Sequence, residues 1–160
     1  MEFKNVREYF KLLIIYFIST IMSMIIAPLF VKNEFSKEEY KYYLIPFITF
    51  TIIYIILINI FKVNKKIVIA SFLVVYFLVS TLLINDVFSM TGLTSNEVEF
   101  LGIKYITFIS LYTTLPFQML IYILIGYNIG EYSYIILAIY LIVISIIIYV
   151  LDKFREIKKV

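Results

Sequence analysis

Thr107, Ser110, Thr114 and Gln118 are the side chains whose types and spacing best suit them to act together. On a helix turning 100° per residue they fall within one arc of about 80°. Three hydroxyls and a carboxamide on one face offer hydrogen bonds without charge. Such a stripe suits a small uncharged or zwitterionic ligand, or a wet passage. It equally suits bonding to neighbouring helices and to carbonyls that Pro116 leaves without a donor. The second use is the commoner one between apolar helices, and it is the favoured reading.

Other chemistry is limited by what the chain lacks. There is no histidine, which removes HExxH zinc sites, serine–histidine and cysteine–histidine relays, and the usual general base near neutral pH. There is no cysteine, so neither a disulfide nor a thiolate metal site can form. No carboxylates pair within the apolar runs, which excludes an intramembrane aspartyl dyad. Asp86, Glu97 and Glu99 read as hydrated loop acids, and no phosphate-cradling glycine loop is present. No catalytic residue, metal site or cofactor is expected, and the chain does not read as an enzyme.

The elements that must position the stripe follow from composition. The 160 residues are 63% hydrophobic and 16% charged, with a mean hydropathy of +1.01. Soluble domains run at roughly 45–50% apolar and 25% charged. A single soluble core could not bury this excess, so lipid must cover the remainder. A spanning helix needs about 20 apolar residues to cross roughly 30 Å of hydrocarbon. Five runs meet or approach that length: 12–31, 44–61, 67–84, 105–127 and 134–151. Every lysine, arginine, aspartate and glutamate lies outside them, as the cost of a mid-bilayer charge requires. Barrel strands would alternate polar and apolar residues, and these runs are apolar all round. The expected fold is all-α: one polytopic helical bundle over residues 1–160 with about five transmembrane helices. Tyrosines such as Tyr9, Tyr40, Tyr42, Tyr43, Tyr127 and Tyr134 sit where the interfaces should fall. The first run reads as a retained anchor, because its apolar part is longer than a signal peptide's and Ala27 is followed by Pro28.

The fourth run admits two paths. As a crossing kinked at Pro116, it makes five spans and divides the basic residues six against eight, a neutral split. As a re-entrant hairpin, it puts both termini on one side and divides them ten against four. Reversal at half depth must satisfy the freed backbone groups and usually relies on glycine, and none lies between Ile103 and Ile125. The kinked crossing is therefore the expected path.

Two further helices carry packing stripes. Ser19, Ser23 and Ala27 repeat every four residues, the small-xxx-small spacing that lets backbones approach. Ala70, Val74, Thr81 and Asn85 share a face of the third run. The last run, with Ala138 and Ser145 on one side, is expected to face lipid. Gly126 and Gly130 read as turn residues. Thr94-Ser-Asn-Glu97 fits a capping box that would start the fourth helix early, with Phe100 against the membrane surface. The 32–41 segment reads as a solvated loop or short surface helix. The basic tail reads equally as an anionic-lipid contact or an ordinary solubilising end. A net charge of +3 scattered among loops leaves no nucleic-acid footprint.

The expected partners are the lipid bilayer and another membrane protein or a second copy. The expected role is that of a non-catalytic partner, accessory or immunity-type subunit. The alternative is a small transporter or channel component using the fourth run's polar face. Heavy use of isoleucine, lysine, tyrosine and phenylalanine points to an AT-rich genome and so to a bacterial cytoplasmic membrane.

Overall fold

The computed structural model describes residues 2–32, 38–84 and 101–157. Among them it is all-helical: α1 (Glu2–Phe30), α2 (Leu44–Phe61), α3 (Lys65–Ile84), α4 (Leu101–Thr113), α5 (Leu115–Gly126) and α6 (Ser133–Ile157). Short 3-10 helices at Glu39–Tyr43 and Gly130–Tyr132 precede α2 and α6. The capping box at 94–97 and Asn85 lie outside the described residues. Four helices are long and apolar enough to cross a membrane, and α4 with α5 form a fifth apolar stretch bent by 87°. The protein is thus a helical bundle of the integral membrane class.

Polar contacts gather one end of the bundle. Glu8 Oε2 accepts from the Asn64 backbone N–H at 3.0 Å, which ties the start of α1 to the α2–α3 turn. Asp152 pairs with Lys65 at 2.7 Å, and Arg155 donates to the Asn59 carbonyl at 2.6 Å. The last turns of α6 therefore sit beside that same turn. From this shared end, α1, α2 and α3 make three passages and leave Ile84 at the far end. α6 must begin at the far end to finish where it does. The chain between Ile84 and Ser133 consequently makes no net crossing.

The fourth run obeys that parity. Tyr16, halfway along α1, donates to the Thr113 carbonyl at 2.6 Å, which fixes the α4–α5 junction at mid-bundle. At its other end α5 closes on the 3-10 helix before α2, where a Cβ on Gly126 would lie 3.0 Å from the Lys41 backbone nitrogen. Twelve residues of α5 rise about 18 Å, enough for half the hydrocarbon layer. Of the two paths open to the run, the contacts support re-entry from the far end, beside four helices long and apolar enough to span. This is the path for which the basic residues divide ten against four.

Absence of glycine did not prevent the 87° bend. Thr114 makes the bend at φ −116° and ψ 20°, a backbone region open to ordinary L-residues. Pro116 falls in the first turn of α5, where a missing N–H has no intrahelical partner to lose. It starts a new helix; it does not kink an old one. Gly126 and Gly130 do lie around the turn before α6, yet neither has positive φ, and the left-handed residue there is Asn128 at φ 60°. Their lack of a side chain serves close approach, Gly126 to Lys41 and Tyr40 and Gly130 to Ile125.

α1 packs chiefly along α2, α3 along α4 and α6, and α5 sits among α1, α2 and α6. Rings fill the centre. Tyr16 stacks on Phe117 at 6.3 Å and meets Phe50 edge-on at 5.8 Å. Tyr54 stacks on Phe50 at 5.4 Å, and the Tyr140 hydroxyl lies 2.8 Å from that of Thr51.

Candidate functional site

The α4–α5 junction brings three buried polar side chains together. A break in a helix frees carbonyls, and in hydrocarbon each must find a donor inside the protein. The Leu111 carbonyl receives the Gln118 amide nitrogen at 2.5 Å, and the Thr113 carbonyl receives the Tyr16 hydroxyl. Thr114 Oγ1 donates to the Ser110 carbonyl at 2.7 Å and accepts from Gln118 Nε2 at 3.2 Å. Ser110 Oγ donates to the Ile106 carbonyl at 2.7 Å and lies 3.0 Å from Thr81 Oγ1 on α3. Ser110, Thr114 and Gln118 are all buried. Thr107, a turn earlier on α4, is half-buried.

Three of the four stripe residues are thus brought together, and the break makes them neighbours as much as helical periodicity does. Thr81 joins them from α3. Sequence reasoning missed Tyr16, because its tyrosines were assigned to interfaces. The signal was available: Tyr16, Tyr54 and Tyr140 stand deep within runs, where a phenol needs a buried partner.

The proposed packing residues divide. Ser19 and Ser23 are fully buried, with hydroxyls turned onto the carbonyls of Ile15 and Thr20, and Ala27 packs against the core. Ala70 is a correction: it is exposed, as is Val74. α3 turns Val68, Phe72, Val79 and Leu82 inward. Larger apolar side chains fill the inter-helix space better than the small ones do, so they take the inner face. α6 buries only a narrow stripe at Leu137, Leu141, Ile144 and Ile148, in keeping with a mainly lipid-facing helix.

Beside the junction lies a cavity of about 340 Å³ between α1 and α5, capped by the 3-10 helix before α2. Met24, Ala27 and Pro28 form one wall and Gln118, Met119 and Tyr122 another, with Tyr43 near the far end. Its lining residues all belong to the far half of the bundle. A larger groove of about 640 Å³ between α3 and α6 is nearly all aliphatic and aromatic. Among the described residues, no three acids form a cluster that could hold a metal ion.

Fold and site together define a polytopic helical membrane protein with a broken helix pair, bent by 87°, at its centre. No family model, no curated protein and no solved structure matches the chain.

Proposed function

We propose that the protein is a non-catalytic membrane partner, an accessory or immunity-type subunit that binds another membrane protein in a bacterial cytoplasmic membrane. One observation carries this reading: the polar side chains at the junction are largely spent on holding the break, and none is a lysine, arginine, aspartate or glutamate. A transport pathway needs polar groups left over for its cargo along the whole passage, whereas the cavity beside the junction stays in one half of the bundle. Meanwhile α1 turns Phe10, Leu13, Phe17, Ile21 and Ile25 outward, a continuous apolar ridge suited to another helix or to lipid tails. The ten-to-four division of basic residues supports an orientation with both termini in the cytoplasm.

Purification in mild detergent tests the proposal. A membrane protein should co-purify in fixed stoichiometry, and Phe17→Ala with Ile21→Ala should release it. A monodisperse single chain that conducts a solute when reconstituted, and loses that flux on Thr114→Val and Gln118→Leu, would instead establish the transport alternative.

A further inference from the structure

The buried carboxamide of Gln118 is only half used. Its Nε2 donates to the Leu111 carbonyl and to Thr114 Oγ1. A backbone carbonyl can only accept, so nitrogen must face Leu111, and the amide's orientation is settled by chemistry. Oε1 is left with no hydrogen bond from any described residue. Gln118 is 4% exposed, and what it borders is the cavity between α1 and α5. On the opposite wall Pro28 has no N–H to give the preceding turn of α1. Both Met24 and Pro28 line the same space.

We propose that this cavity is a binding site for a small uncharged molecule with a hydroxyl or amide donor on an apolar body, recognised through Gln118 Oε1. An acceptor without a protein donor in an apolar wall calls for one, and water or a ligand must supply it. Among the described residues no lysine, arginine, aspartate or glutamate lines the cavity, which suits an uncharged guest. The volume, about 340 Å³, falls at the lower end of small-molecule sites, which pair apolar walls with a few placed polar groups. Met119 and Met24 are adaptable wall material, and the Tyr43 and Tyr122 rings, stacked at 5.4 Å, close the side toward the far end. The guest enters from the far leaflet. This site is independent of the partner role, since neither α1's outward ridge nor any second protein enters the argument.

Photolabelling of the full chain in lipid nanodiscs with a diazirine-bearing octanol tests the site. Adducts should concentrate on Met24, Tyr43, Met119 and Tyr122; excess octanol should compete and octane should not. Gln118→Leu should lower labelling at these residues about tenfold, the loss of one hydrogen bond. Ala27→Leu fills the cavity without touching the Gln118 bonds. It should abolish cavity adducts while outward positions such as Ile142 label as before and the circular dichroism stays helical. Adducts spread over the outward faces in proportion to exposure would overturn the site. Octane competing as well as octanol, or wild-type labelling in a folded Gln118→Leu protein, would overturn the role of Oε1. Should Gln118→Leu fail to fold, cavity labelling that survives Ala27→Leu would overturn the proposal by itself.

Discussion

α5 and α6 are written in nearly the same residues, isoleucine and leucine relieved by an occasional tyrosine, yet they occupy opposite surroundings. α6 runs 25 residues and buries one stripe, with Ile135, Ile139, Ile142 and Ile146 turned outward. α5 runs 12 residues, and nine of them are buried, so protein covers it on nearly every side. Hydropathy reports that a surface avoids water. It does not report whether lipid or protein does the covering, because tails and leucines are about equally apolar. What separates the two helices is how they begin and end: Thr114 and Pro116 open α5 at half depth, and Gly126 closes it against another segment's backbone.

The contrast can be broken by mutation, with unfolding read by denaturing-detergent titration of the purified protein. Phe117→Ala should have the largest effect, a loss of about 3–5 kcal/mol from emptying the ring cluster, whereas Ile142→Ala on α6 should stay within about 0.5 kcal/mol. Equal losses would mean that α5 is not the inner helix. Gly126→Leu comes next at about 1–3 kcal/mol, because the Lys41 backbone cannot yield as a side chain could. Gln118→Leu should cost about 1–3 kcal/mol by stranding the Leu111 carbonyl, while Ser145→Ala, whose hydroxyl only returns to its own helix, should be near neutral. Smallest of the expected losses at the break is Tyr16→Phe, about 0.6 kcal/mol for one hydrogen bond inside a membrane bundle. A silent Gln118→Leu together with a silent Tyr16→Phe would show that the break needs neither donor.

Much of this architecture is legible in the residues. The runs 44–61 and 134–151 fall on α2 and within α6, because a charge-free stretch bounded by lysines and tyrosines has few other fates in lipid. The path of 105–127 was not legible, for two physical reasons. Glycine is the usual device for a sharp turn at half depth, but here a threonine in an ordinary backbone conformation bends the chain by 87°. The donors that satisfy the freed carbonyls are Gln118, seven residues on from Leu111, and Tyr16, which is 97 residues from Thr113. Only the folded bundle brings Tyr16 there. The stripe of Ser110, Thr114 and Gln118 was visible as a polar face, while its unused oxygen and the cavity beside it depend on α1. The inward face of α3 was misjudged at Ala70, since small size signals close packing only where a neighbour does come close.

The central claim is that the α4–α5 pair enters and leaves the membrane on one side. The chain has no native cysteine, so Asn128→Cys, in the exposed turn between α5 and α6, reports sidedness without background. Labelled by an impermeant maleimide in sealed right-side-out and inverted vesicles, it should share the accessibility of Glu38→Cys and oppose that of Asn64→Cys. Accessibility shared with Asn64→Cys would mean that the fourth run crosses completely, and the re-entrant fold would be wrong.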